Sequence, residues 1–190
     1  MQINLIKGDC LEKMKDISDK SIDMILCDLP YGTTKNKWDS IIPLDKLWEQ
    51  YNRVVKDNGA IILFAQTPFD KVLGYSNLKM LKYEWIWEKT SATGYLNAKK
   101  MPMKAHENIL VFYKKLPTYN PQKTTGHKRK VSKAEHKINC VKTTNYGVHD
   151  LTTYDSTERY PRSVQVFKTD KQKEALHPTQ KTSRVIRVSN

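Results

Sequence analysis

The stretch that most limits what this chain can fold into is Ile22 to Gly32, IDMILCDLPYG. Its apolar run, Met24 to Cys27, reads as a strand buried on both faces of a parallel sheet. The run stops at Asp28, which puts a carboxylate at the strand's carboxyl end, where open α/β sheets bind their ligands. Pro30 has no amide hydrogen and a fixed φ, so it ends the strand, stiffens the turn and leaves the carbonyls of Leu29 and Pro30 outside the ladder. An acid, rigid carbonyls and the Tyr31 ring in succession can grip a flat group that carries an NH2. Taken alone, the stretch serves equally well as a plain turn after a core strand, with Asp28 a solvated cap.

The flanking pattern supplies a context. Ile3, Leu5 and Ile6 are expected to form an opening strand that ends at Gly8-Asp9, with Asp9 capping a helix carrying Leu11, Met14 and Ile17. Thr33 to Ser40 reads as a mobile active-site loop, in which Trp38 would serve equally as a core anchor. Pro43 opens a helix whose stripe of Leu44, Leu47, Trp48, Tyr51, Val54 and Val55 is core, and Asn58-Gly59 is expected to end it. Ala60 to Ala65 reads as a second doubly buried strand and Pro68 to Leu81 as a third helix. Tyr83 to Lys89 and Asn108 to Lys114 read as two more strands. Helices alternating with short apolar strands predict an α/β, Rossmann-like doubly wound sheet.

Charge points to the partner. The formal net charge of +13 and pI near 9.5 favour a polyanion such as nucleic acid. From Lys114 to Lys142 there are nine Lys or Arg against one acid, Glu135. Such a run is ordinarily a solvated or disordered face. Here Tyr119, Asn120, Gln122, Thr124 and Thr125 are interspersed with the basic residues, groups suited to phosphates and base edges. Arg159 and Arg162 extend the phosphate-binding chemistry. No stretch approaches a membrane span and the start carries no secretory signal pattern, so a cytoplasmic location is expected. Cys10, Cys27 and Cys140 are odd in number and scattered, which argues against a disulfide framework and against a zinc site; no metal is expected.

Together these motifs resemble a family. Asp28-Leu29-Pro30-Tyr31 after an apolar strand resembles the catalytic motif of amino-group DNA methyltransferases. Gly8-Asp9-Cys10, the segment Ala98-Lys99-Lys100 to Pro102 followed by His106-Glu107-Asn108-Ile109-Leu110-Val111-Phe112, and His177-Pro178-Thr179-Gln180-Lys181 occur in the order found in the beta group of those enzymes. The resemblance implies methyl transfer from S-adenosylmethionine to the exocyclic amine of a flipped-out base in double-stranded DNA. Asp28 and the Pro30 carbonyl would hold the amine while Tyr31 stacks on the ring. An Asp in first place resembles the adenine-specific members. Cofactor contacts are implied at Asp9, Cys10, Asp28, His177, Thr179, Gln180 and Lys181. Residues 1–113 would be the catalytic core, 114–174 the target-recognition segment, with DNA contacts at Lys123, Lys128, Arg129, Lys130, Lys133, Arg159 and Arg162, and 175–190 a return segment with a divergent tail. The resemblance also allows a restriction endonuclease as a partner.

The chain departs from the family after Lys181. A beta-group enzyme continues with proline, a helix and a strand ending in a glycine-rich turn, whereas this chain reads Thr182 to Asn190 and contains no G-x-G. Dropping one A from a codon run for Lys181 onward yields Lys-Pro-Val-Ala-Leu-Leu-Glu-Tyr-Leu, so the tail is expected to be a frameshifted, truncated product. On that reading the sheet is incomplete at its C-terminal end, β-strand Ile22 to Asp28 has an open edge prone to self-association, and the chain's own activity is in question. The alternative is an inactive remnant that only binds DNA.

Overall fold

The computed structural model describes residues 3–37, 39–133 and 153–167. Trp38, Cys140 and the HPTQK segment lie outside them. The chain divides into two compact units, one comprising Met1–Tyr119 with Ser163–Asn190 and the other Asn120–Arg162.

The larger unit is built on a mixed five-stranded sheet. Its elements in chain order are α1 (Cys10–Met14), β1 (Ile22–Asp28), α2 (Leu44–Val54), β2 (Val55–Ala65), α3 (Phe69–Ser76), β3 (Leu81–Thr93), β4 (Lys104–Phe112) and, after the smaller unit, β7 (Val164–Phe167). The strand order is β1-β2-β4-β3-β7. β1 lies parallel to β2 and β7 parallel to β3, while β4 is antiparallel to both of its neighbours. Four strands therefore run one way, as the alternating pattern predicts, and β4 alone is reversed.

The two faces of the sheet follow from the period-2 alternation of its inner strands. Ile61, Leu63 and Ala65 of β2 and Leu110 and Phe112 of β4 pack with Leu47, Trp48, Tyr51 and Val54 of α2 and Phe69 and Leu73 of α3. Ile62, Phe64, Ile109, Val111 and Trp87 form a second cluster. The α2 stripe is the core face expected of it, and the Trp48 indole donates to Ser76 Oγ at 2.7 Å, fixing α2 against the end of α3.

Several boundaries differ from the sequence reading. Residues 3–9 form no strand, and Leu5 is 94% exposed. Among the described residues no neighbouring strand satisfies a ladder there, and a short apolar alternation cannot hold an extended form alone. No residue of β1 is fully buried. Among the described residues it has one neighbour, so it is an edge strand and not the doubly covered strand its composition suggests.

Helix α2 stops at Val54 rather than at Asn58-Gly59. Lys20, in the left-handed conformation at φ 53°, donates its amide to Arg53 O and its Nζ to Asn52 O and Val55 O. These bonds satisfy carbonyls at the helix end and release Val55 into β2. Gly59 is instead needed inside the strand. A Cβ there would stand 2.7 Å from Asp23 O and 2.6 Å from a Val55 methyl, so only glycine permits β2 to approach β1. Helix α3 is shorter than expected, and β3 begins at Leu81 and runs on to Thr93.

The smaller unit contains a two-stranded antiparallel ladder, β5 (Lys130–Ser132) with β6 (Tyr154–Ser156), and a bridge between Thr124 and Arg159. Arg159 is its internal clamp. Its guanidinium donates to Ser156 O at 3.1 Å, Glu158 O at 2.6 Å and the carbonyl of Lys128.

Candidate active site

The site is built at the carboxyl end of β1. Asp28 pairs in register with Phe64, and the chain then leaves the sheet through Leu29, which is buried, and Pro30. The turn brings Tyr31 back beneath the acid: its hydroxyl donates to Asp28 Oδ1 at 2.6 Å. Its ring stacks on Phe69, the first residue of α3, with centroids 5.5 Å apart and planes 26° from parallel. Burial, and then the Asp28 charge and hydrogen bond, push the Tyr31 phenol far above its ordinary range, so it stays a donor to Asp28. The expected trio is thus brought together, with an acceptor and an aromatic surface on one rigid turn.

The segment after Tyr31 is anchored, in contrast to the mobile loop expected of it. Asp39, 8% exposed, accepts from the Gly32 amide through Oδ1 at 2.8 Å, and from the Thr33 and Thr34 amides through Oδ2 at 2.9 and 2.6 Å. Removal from water pushes the Asp39 carboxyl up, but bonds from the Thr34 hydroxyl and the amides outweigh this and hold it below the usual carboxylate range. Nothing in the polar stretch Thr33 to Ser40 singles out this acid beforehand. Phe69 was equally invisible, since its partner is fixed by tertiary packing.

Of the expected cofactor contacts, Asp9 caps α1 as predicted, its Oδ1 accepting from the amides of Leu11 at 2.8 Å and Glu12 at 3.3 Å. Cys10 is exposed, and burial followed by the Asp9 charge pushes its thiol up. Burial also raises the half-buried Cys27 thiol, which bonds Tyr51 and feels the charges of both Asp28 and Cys10. Cys27 directly precedes Asp28 on β1, and Cys10 directly follows Asp9 at the start of α1. His177, Thr179, Gln180 and Lys181 are outside the described residues.

A second charged group stands along the same end of the sheet. Lys89 Nζ meets Glu107 Oε1 at 2.5 Å, with the two side chains only 10% and 8% exposed. The ammonium also lies 5.3 Å from the Trp87 ring. Glu107 directly precedes Asn108, which pairs with Ala65 at the end of β2, and its charge reaches Tyr31. A buried pair of this kind matters less for its net stabilisation than for the cost of breaking it.

The basic candidates of the smaller unit separate into two sets. Arg129 makes a two-pronged pair with Asp155 at 2.8 and 2.6 Å, Lys123 meets Glu158 at 3.0 Å and lies 4.9 Å from the Tyr160 ring, and Arg159 is the clamp described above. Lys128, Lys130 and Lys133 form the second set, and they are exposed, as are Arg162, Lys123 and Arg129.

Comparison with known proteins agrees with this geometry. The sequence profile of an N6/N4 DNA methylase family matches residues 22–188. The chain is 30% identical over 127 residues to the DNA adenine methyltransferase YhdJ of Escherichia coli, covering 60% of this chain and 42% of that protein. It is 26% identical over 132 residues to the Type II methyltransferase M.HinfI of Haemophilus influenzae, covering 56% and 36%. The chain thus spans about two-fifths of the length of these curated relatives. In fold it matches the M1.HpyAVI–SAM complex with a TM-score of 0.57 at 18% identity, over 97% of this chain and 74% of that one. It matches the cytosine-N4-specific PvuII DNA methyltransferase with a TM-score of 0.53 at 12% identity, over 88% and 57%.

Proposed function

This chain belongs to the N6/N4 DNA methylase family, and from that membership we propose that it transfers a methyl group from S-adenosylmethionine to the exocyclic amine of a base flipped out of duplex DNA, adenine before cytosine. The observation that carries the reading is the turn at the end of β1, where the Asp28 carboxylate stands over a ring backed by Phe69. Asp28 and the Pro30 carbonyl accept from the two amine hydrogens and so aim the nitrogen lone pair away from themselves. Tyr31, supported on one face by Phe69, stacks on the extruded ring with the other. Stacking on an aromatic side chain contributes about 1–3 kcal/mol, comparable with the few kcal/mol that flipping costs.

The residues present suit the methyl donor. S-adenosylmethionine supplies an electrophilic methyl on a cationic sulfur, and Asp9 and Asp28 offer carboxylates to a cationic, hydroxyl-bearing ligand. Asp9 uses Oδ1 for the α1 cap, which orients its carboxylate toward the start of that helix. His177, Thr179, Gln180 and Lys181 complete the proposed set from sequence. Adenine is favoured by Asp in the first motif position and by the likeness to YhdJ.

For DNA, Lys128, Lys130, Lys133 and Arg162 are assigned to phosphate contact. Arg129 and Lys123 join them only by exchanging an acidic partner, and Arg159 acts by holding the unit together. Its DNA substrate assigns the chain to the cytoplasm. Among the described residues no helix is long and apolar enough to cross a membrane. A restriction endonuclease partner and self-association through the β1 edge are part of the same proposal.

The test is transfer of tritiated methyl from S-adenosylmethionine to bacterial genomic DNA, with calorimetric titration of the donor alongside. Wild type should bind donor and label DNA, and Asp28→Ala should lose label by at least a hundredfold while duplex affinity changes less than twofold. Labelling that survives Asp28→Ala would sink the assignment. Duplex binding without donor binding or label would leave a DNA-binding chain that transfers nothing.

A further inference from the structure

Between β3 and β4 the chain makes a connection whose surface the methyl-transfer reading does not use. Gly94, in the left-handed conformation at φ 86° and ψ 28°, opens a 3-10 turn over Tyr95–Asn97. The turn is internally bonded: Asn97 N to Gly94 O at 3.0 Å, Ala98 N to Tyr95 O at 3.0 Å, and Lys100 and Met101 amides to Asn97 O at 2.8 and 3.0 Å. On this ordered knuckle Tyr95 is 74% and Leu96 81% exposed, and Met101 and Met103 are exposed as well. Lys99, Lys100 and Lys104 lie among them, and no acid occurs from Gly94 to His106. Large apolar groups on a preorganised basic turn are a contact surface with a polyanion that also has apolar interior to offer.

Its position specifies the partner. Thr93 pairs with Lys104 at the base of the connection, and Lys104 Nζ donates to Gln66 Oε1 at 2.9 Å. Gln66 directly follows Ala65, the last residue of β2, whose neighbour Phe64 pairs with Asp28. The reversal of β4 therefore raises this turn from the same end of the sheet as Asp28–Tyr31, on the strands that stand second and third from β1.

We propose that the β3–β4 turn is a duplex wedge: Lys99 and Lys100 seat it on phosphates, and Leu96, with Tyr95 beside it, enters the space that the target base vacates. This inference rests on the DNA substrate proposed above but not on methyl transfer. Apolar side chains inserted between base steps are a general means of holding a duplex open.

The experiment uses the full chain without methyl donor and measures fluorescence anisotropy with two probes, a labelled mixed-sequence duplex and the same duplex containing one abasic site. The abasic duplex is already unstacked at one position, so wild type should bind it about tenfold more tightly. Leu96→Ala should bring the ratio to about one or two, whereas Leu78→Ala, another exposed leucine at the opposite end of the sheet, should keep it near ten. The double variant Lys99→Gln, Lys100→Gln should weaken both duplexes alike and lower the slope of log affinity against log salt by about 2. Equal affinity of wild type for the two duplexes, an unchanged ratio in Leu96→Ala, or failure to bind either duplex would each overturn the wedge. A tenfold ratio in a chain that labels no DNA would uphold the wedge and count against methyl transfer alone.

Discussion

Asp39→Asn isolates what holds the catalytic turn in place. The carboxylate receives three backbone donors, one at Oδ1 and two at Oδ2. Asparagine retains one oxygen, and its better orientation turns that oxygen to Thr33 and Thr34 and its NH2 to the Gly32 amide. One part-buried donor is then left facing another, at a cost of about 1–3 kcal/mol. The other two bonds lose the charge, and neutral bonds contribute roughly 1 kcal/mol less each than charge-assisted ones. The sum is about 3–5 kcal/mol, and because the segment can relax outward we expect the lower end, ~3 kcal/mol, in urea unfolding at neutral pH. The pH dependence has a definite sign. The folded Asp39 carboxyl is held below its ordinary value, so its contribution is complete above pH ~4 and disappears as pH falls through the lower folded value. Wild type should therefore lose stability on acidification over an interval in which Asp39→Asn does not. An asparagine variant within about 0.5 kcal/mol of wild type, with the same acid dependence, would refute the claim that these three bonds fix the turn.

Three further outcomes follow from contacts elsewhere. Lys89→Met removes the cation paired with the buried Glu107 carboxylate and should cost about 3 kcal/mol by chemical denaturation, whereas Lys89→Met with Glu107→Leu should recover most of the loss; equal instability of single and double variants would contradict the pair's burial. Tyr31→Phe removes a hydrogen bond to an ionised acceptor, worth about 1.5–3 kcal/mol, and should lower kcat for methyl labelling more than it raises KM, with the reverse split telling against the bond to Asp28. Arg159→Ala should make residues 120–162 susceptible to limited proteolysis, whereas Lys130→Ala should leave the digestion pattern unchanged and reduce the salt slope of duplex binding by about 1.

The features legible in the sequence were those whose cause is local. Pro30 stopping β1, Asp9 capping α1, and the spacing of Leu47, Trp48, Tyr51 and Val54 act over a few residues, and each is found where expected. Misreadings arose where a distant group decided the outcome. Asn58-Gly59 has the composition of a helix stop, but Lys20 ends α2 earlier and the Asp23 carbonyl reserves Gly59 for strand packing. The apolar run of β1 indicates a fully covered strand, yet covering depends on neighbours that composition does not encode. Asp39, Phe69 and the Lys89–Glu107 pair were silent because their partners lie 5 to 38 positions away along the chain.

The reversed strand β4 has a consequence for how such a chain can change. A parallel neighbour must be reached by a crossover whose helix packs on the sheet, so altering it disturbs a layer of core. The connection from Thr93 to Lys104 joins antiparallel neighbours and covers no face. Residues can be inserted, removed or exchanged there at little thermodynamic expense to the sheet. The turn can thus be reshaped while Asp28 and Tyr31 keep their mutual geometry against Phe69.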